Sequence, residues 1–123
     1  MTKVLIVEDN ELNRDMLQRR LERRGYSVFV AVDGPHGIEM ALSGGPDIVL
    51  MDVALGEMDG WEATKILKSN DKTRHVPVIA LTAHALESDR QKSIEIGCAD
   101  FETKPISLDT LIGKIEKHVN RSV

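Results

Sequence analysis

The chain has 123 residues, 41% hydrophobic and 29% charged, with a formal net charge of -4 and a pI near 5.5. That length suits a single domain, residues 1–123, able to bury a core without disulfides or a structural metal. The mild acidity speaks against a general affinity for nucleic acid or an anionic membrane surface, and the composition is too apolar for a disordered chain. One cysteine, Cys98, rules out an internal disulfide and fits a reducing cytoplasm. The opening MTKVLIVEDN holds one lysine and an apolar run too short for a signal peptide or a membrane span.

VLIV (4–7) is a short continuous apolar run, the pattern of a strand buried on both faces of a helix-covered parallel sheet. It ends in Glu8, Asp9 and Asn10. Adjacent like charges repel, so the acids either face solvent, with Asp9 or Asn10 capping the next helix, or hold something positive. Residues 11–24 follow as a first helix, stopped by Gly25. On a helical wheel Leu17 and Leu21 form one apolar pair and Leu12 and Met16 another, about 140° apart. Either one pair seats on the sheet with the other to its side, or both lie in one wide buried arc. Arg19, Arg20, Arg23 and Arg24 read as a solvated face able to steer an acidic partner.

SVFVAV (27–32) is the second strand, ending in Asp33 and Gly34, which read as turn and helix-start chemistry. Ile38, Ala41 and Leu42 mark a second helix that stops before SGGPD. DIVLM (47–51) is the third strand, followed by Asp52. A third helix covers about 60–69, with Asp59 as its cap and Trp61 partly exposed at its start. PVIAL (77–81) leads to Thr82 and a fourth helix over 85–96, behind which Cys98 reads as a buried small hydrophobe. ADFETK (99–104) is a weaker, polar run suited to an edge strand, and Pro105 follows Lys104. In the last helix Leu108, Leu111, Ile112, Ile115 and Val119 form one apolar stripe, with Ser107 as N-cap and Asp109 in the first turn.

Strand and helix alternate five times without repeat or linker, which predicts right-handed crossovers and a doubly wound α/β sandwich. In such sheets ligands sit outside the carboxyl ends of the strands. Those ends carry Glu8, Asp9, Asp52, Thr82 and Lys104. Each alone has a plain explanation as a cap or turn, but together they gather three carboxylates, a hydroxyl and an ammonium on one edge. Hard oxygen donors in that number suit Mg²⁺ better than zinc, and a lysine and hydroxyl beside a metal suit phosphoryl oxygens.

In combination VLIVEDN, IVLMD, MDGWE, VIALTAHA and ADFETKPI resemble the receiver domain of two-component response regulators, over essentially the whole chain. The resemblance implies a flavodoxin-like (βα)5 sandwich with a parallel sheet in the order 2-1-3-4-5. It implies that Asp52 is the phosphoacceptor, attacking the phosphohistidine of a sensor histidine kinase or histidine phosphotransferase. It implies Mg²⁺ held by Asp9 and Asp52 directly, by Glu8 through water and by the backbone carbonyl of Ala54. Lys104 would pair with the phosphoryl group, Thr82 would hydrogen-bond to it, and Pro105 would follow a cis bond.

The switch so implied moves Thr82 toward the phosphoryl group and turns Phe101 inward. Lacking a hydroxyl tip, Phe101 is expected to populate the inward rotamer even without phosphate; the alternative is an ordinary edge-strand core residue. Leu12, Asn13, Met16 and Ile106 are the implied docking contacts for the phosphohistidine partner. A downstream protein is expected on the face of helix four, strand five and helix five, and a homodimer stays open.

Two features depart from the family pattern or qualify it. Gly56 stands where the family usually has proline, which loosens the loop beside the metal. Ala54 and His84 occupy positions that modulate hydrolysis, His84 either gating the attacking water or lying exposed at a helix start. An aspartate-nucleophile phosphatase shares the fold class and Mg²⁺ but carries D-x-D after the first strand, where this chain reads EDN. A dinucleotide enzyme needs G-x-G-x-x-G there. A receiver that binds constitutively has no need of the intact acidic set. The expectation is a stand-alone, non-enzymatic switch that promotes its own phosphotransfer and slow dephosphorylation. A module excised from a larger hybrid kinase or regulator is the alternative.

Overall fold

A computed structural model describes residues 1–56, 58–83 and 87–119. Five parallel strands, β1 (Lys3–Val7), β2 (Ser27–Ala31), β3 (Ile48–Asp52), β4 (Val78–Thr82) and β5 (Asp100–Thr103), form one sheet in the order β2-β1-β3-β4-β5. They alternate with α1 (Glu11–Arg23), α2 (Gly34–Gly44), α3 (Gly60–Ser69), α4 (Glu87–Ile96) and α5 (Leu108–Val119). The expected architecture and strand order are what the chain adopts. Among the described residues no helix is long and apolar enough to cross a membrane.

Residue parity divides the core, because successive side chains of a strand point to opposite faces of the sheet. Val4, Ile6, Ile48, Leu50, Ile79 and Leu81 pack with Leu17 and Leu21 of α1 and with Leu111, Ile112 and Ile115 of α5. The alternate set, Leu5, Val7, Val49, Met51 and Val78, packs with Ala41 of α2 and with Ala63 and Leu67 of α3. Two-sided burial explains why the central strands read as unbroken apolar runs.

The edge strands are half-buried for most of their length. β5 is polar because its side chains meet charged groups of α5: Lys114 Nζ lies 3.2 Å from Glu102, and His118 Nε2 lies 3.2 Å from Asp100. The Phe101 N–H donates to Asp100 Oδ1 at 2.9 Å, and the Phe101 carbonyl accepts from Lys114 Nζ at 2.6 Å. Lys114 also lies over the Phe101 ring at 5.9 Å, as Lys3 lies over Phe29 of β2 at 5.7 Å.

Side chains cap the first three helices, each taking up a backbone N–H that the helix leaves unpaired. Asn10 Oδ1 accepts from Asn13 N at 3.0 Å, Asp33 Oδ1 from His36 N at 2.8 Å and Asp59 Oδ1 from Glu62 N at 2.8 Å. Asn10 is thus the cap of α1, which leaves the Asp9 carboxylate for other work. Ser107 stands at the N-cap position of α5 as expected, its carbonyl accepting from Leu111 N, and its hydroxyl accepts from the Thr110 hydroxyl.

Several burial expectations change. Leu17 and Leu21 are buried while Leu12 and Met16 are 80% and 44% exposed, so the two pairs are separate and the wide buried arc is excluded. Leu42 is exposed, and Ile38 and Ala41 do the packing of α2. Trp61, expected partly exposed, is only 9% exposed, with Lys92 over its ring at 5.5 Å. Cys98 is half-buried rather than buried, and desolvation pushes its thiol up to about 11.

Candidate functional site at the carboxyl edge of the sheet

Register assembles the site. Val7 pairs with Met51, so Glu8, one residue on, comes level with Asp52, the last residue of β3 rather than the first after it. Asp52 pairs with Leu81, and Thr82 pairs with Thr103. Lys104 therefore emerges one residue beyond Thr82, and its N–H donates to the Thr82 carbonyl at 2.7 Å. The Lys104–Pro105 bond is cis, as expected.

Glu8, Asp52 and Thr82 are buried, and Asp9 is exposed. One carboxylate oxygen from each of Glu8, Asp9 and Asp52 lies within 4.8 Å of the others. Lys104 Nζ sits 3.1 Å from Glu8 Oε1 and 3.2 Å from Asp52 Oδ2, so one ammonium serves two buried carboxylates. The remaining oxygens are also held. Asp52 Oδ1 accepts from Ala54 N at 3.0 Å, and Glu8 Oε2 accepts from Asn10 N at 3.3 Å. Arg14 Nη1 donates to the Glu8 carbonyl at 3.0 Å.

Two buried carboxylates and one ammonium leave the cluster short of positive charge, which costs free energy in a poorly solvated site. Burial, then the hydrogen bond and charge of Asp52, push the Glu8 carboxyl up to about 7 against the pull of Lys104. Burial alone would lower the Lys104 ammonium, but Asp52 and Glu8 outweigh it and hold its pKa above the ordinary lysine value. A dication would relieve the shortage. The donors are all carboxylate oxygens within reach of one ion, with no thiolate or imidazole among them, and this set fits Mg²⁺.

The floor of the site is backbone. The Gly60 N–H donates to the Val53 carbonyl at 3.1 Å, and a Cβ on Gly60 would lie 2.2 Å from the Asp52 carbonyl oxygen. Only glycine lets α3 start so close to the strand that carries Asp52.

Other expected residues lie around this centre. Ala54 and Gly56 are exposed on the loop after β3, and His84 falls outside the described residues. Phe101 is half-buried and absent from both core clusters. Asn13, Met16 and Ile106, with Leu17 and Leu108, line a cavity of about 590 Å³ that reaches Glu8 and Lys104. Leu12 lies on α1 outside that lining. The sequence reading missed Arg14, which had no visible signal. It also missed the role of Gly60, which in the sequence only follows the Asp59 cap at the start of the third helix.

Residues 4–116 match the sequence profile described as response regulator receiver domain. The polar-differentiation response regulator DivK of Brucella anthropi is 40% identical over 116 residues, covering 94% of this chain and 94% of that protein. DivK of Brucella ovis is 40% identical over 120 residues, covering 97% and 98%. Among solved structures, the receiver domain of sensor histidine kinase PA1611 from Pseudomonas aeruginosa PAO1 has magnesium coordinated in its active-site cleft. It superposes with a TM-score of 0.89 at 33% identity, covering 97% of this chain and 98% of that one. The co-crystal structure of the Saccharomyces cerevisiae histidine phosphotransfer protein Ypd1 and the receiver domain of its response regulator Ssk1 gives a TM-score of 0.91. The match is at 30% identity and covers 98% and 90% of the two chains.

Proposed function

The chain belongs to the response regulator receiver domain family, and on that premise we propose that Asp52 is its phosphoacceptor, within a single receiver domain spanning residues 1–123. The observation that carries this reading is the Lys104 ammonium placed between the buried carboxylates of Glu8 and Asp52. An ammonium fixed there is positioned to accompany a transferred phosphoryl group, and the Asp52 carboxylate beside it is the nucleophile. Attack on the phosphorus of a phosphohistidine forms an O–P bond and breaks the N–P bond. The imidazole leaves with the partner, and an acyl phosphate remains on Asp52.

The Ala54 N–H and Lys104 hold the two Asp52 oxygens in different directions, which orients the carboxylate for attack. Asp9 and Asp52 would hold Mg²⁺ through their side chains, Ala54 through its carbonyl and Glu8 through water. When bound, the ion supplies charge that draws phosphoryl oxygens and carboxylates together. Thr82, at the end of the neighbouring strand, hydrogen-bonds to the phosphoryl group, and Phe101 answers its movement.

Receiver domains work with histidine kinases or histidine phosphotransferases, as the Ypd1 complex illustrates. Here Leu12, Asn13, Met16 and Ile106 are the docking contacts, supported by the exposure of Leu12 and Met16 beside the cavity that reaches Lys104. The α4–β5–α5 face takes the downstream protein or a second copy. The protein acts in the cytoplasm by binding, without turning over an external substrate. Intact-mass measurement after incubation with Mg²⁺ and acetyl phosphate tests the reading: one phosphoryl adduct is expected, and Asp52→Asn abolishes it. No adduct would mark a constitutive binder, and turnover of unrelated phosphoesters would mark a phosphatase.

A further inference from the structure

The outer face of α1 carries charge opposite in sign to the chain as a whole. The net charge is -4, yet Arg19, Arg20 and Arg23 stand exposed on this helix. Among the described residues none of the three has a carboxylate within ion-pair distance, whereas Arg24 pairs with Asp109 of α5 at 3.3 Å. At about 100° per residue these arginines share one sector, roughly 100° wide, with Leu12 and Met16. From Leu12 to Arg23 the row runs about 16 Å at the helical rise. Its apolar end adjoins Glu8 and Asn10, beside the acidic site, and its cationic end points away from it. Arg20 and Met16 also line the cavity that reaches Lys104, so the row is continuous with the phosphoacceptor site.

We propose that Arg19, Arg20 and Arg23 select among phosphohistidine partners, favouring those whose docking helix presents acidic residues about two to three turns from the histidine. This rests on the phosphoacceptor reading and names the chemistry of its partner. Leu12 and Met16 supply apolar contact close to the reaction, where desolvation gives affinity. The arginines lie at the rim, where exposed charges act on the association rate and penalise like-charged partners. Rim charges are screened by salt, so the preference weakens as ionic strength rises.

The test uses two phosphorylated four-helix histidine phosphotransfer domains. They differ only at three exposed positions two to three turns from the histidine, glutamate in one and lysine in the other. Wild-type protein should take phosphate from the acidic donor with a kcat/KM at least about tenfold higher at low salt, the gap narrowing at physiological salt. The triple variant Arg19→Glu, Arg20→Glu, Arg23→Glu should reverse the preference, and Arg19→Gln, Arg20→Gln, Arg23→Gln should erase it. The double variant Arg19→Gln, Arg23→Gln, which keeps the cavity-lining Arg20, should weaken the preference while labelling by acetyl phosphate stays at the wild-type rate. A wild-type protein indifferent to donor charge, or a charge-reversed variant with unaltered preference, overturns the proposal. If acetyl phosphate fails to label wild-type Asp52, the phosphoacceptor reading itself falls.

Discussion

Gly60→Ala probes the point where the fold and the site share atoms. An added Cβ would lie 2.2 Å from the Asp52 carbonyl oxygen, 2.6 Å from Val53 Cα and 2.8 Å from the Asp52 carbonyl carbon. All three are backbone atoms, so no rotamer change relieves the contact, and either α3 or the end of β3 must shift by about 1 Å to restore van der Waals separation. Gly60 is not among the positive-φ glycines, so the effect is steric rather than conformational. Overpacking a well-filled interior costs about 1–3 kcal/mol, and an immovable backbone puts this case at about 3 kcal/mol. With a urea m-value of about 1–3 kcal/mol/M, the unfolding midpoint should drop by roughly 1–3 M, read by fluorescence of buried Trp61. Gly113→Ala is the internal control. It lies exposed in α5 with nothing within 4 Å of its new Cβ and should gain about 0.5–1 kcal/mol. Because Asp52 carries the clashing carbonyl, acetyl phosphate labelling should slow in Gly60→Ala beyond what its unfolded fraction explains. A midpoint and labelling rate equal to wild type would refute the claim that this close approach positions Asp52.

Glu8 makes stability depend on pH. Its carboxyl stands at about 7 in the folded protein against 4.5 ordinarily, so the native state holds the extra proton. Its contribution is complete below about pH 4.5 and is lost as pH rises through about 7; without metal the urea midpoint should fall from pH 5 to pH 8, and Glu8→Gln should flatten that slope. Since a cation in the cluster and a proton on Glu8 oppose each other, the Mg²⁺ affinity seen by Trp61 fluorescence should be tighter at pH 8 than at pH 6, by up to about tenfold; equal affinities would count against the assignment. The two apolar pairs of α1 should part company. Leu21→Ala, at a fully buried site, should cost about 2–5 kcal/mol in urea unfolding. Leu12→Ala should stay within about 0.5 kcal/mol of wild type while slowing phosphotransfer from a histidine phosphotransfer protein.

The central strands were legible because burial on two faces leaves an unbroken apolar run, and the acids were legible because they interrupt it. Positioning Glu8, Asp52, Thr82 and Lys104 needed only the rule that parallel strands gather their carboxyl ends on one edge. What resisted reading depended on the third dimension. Asp100 and Glu102 made β5 look weak because their partners, Lys114 and His118, lie on a helix ten or more residues away. Trp61 looked partly exposed because its polar neighbours face solvent while its own side chain turns inward. The bridging of two carboxylates by Lys104, and the backbone contact under Gly60, are tertiary distances with no local signature.

The side-chain contacts around Phe101 bear on how other chains can approach the sheet. An open edge offers unpaired N–H and C=O groups as a template for strand addition, the route to both β-augmented complexes and aggregation. On β5 the N–H of Phe101 is taken by Asp100 and its carbonyl by Lys114, so both backbone groups at that rung are already engaged. An incoming strand would have to displace a lysine that also lies over the phenylalanine ring. At that rung recognition is therefore a matter of side chains and shape, and strand addition centred on Phe101 is disfavoured.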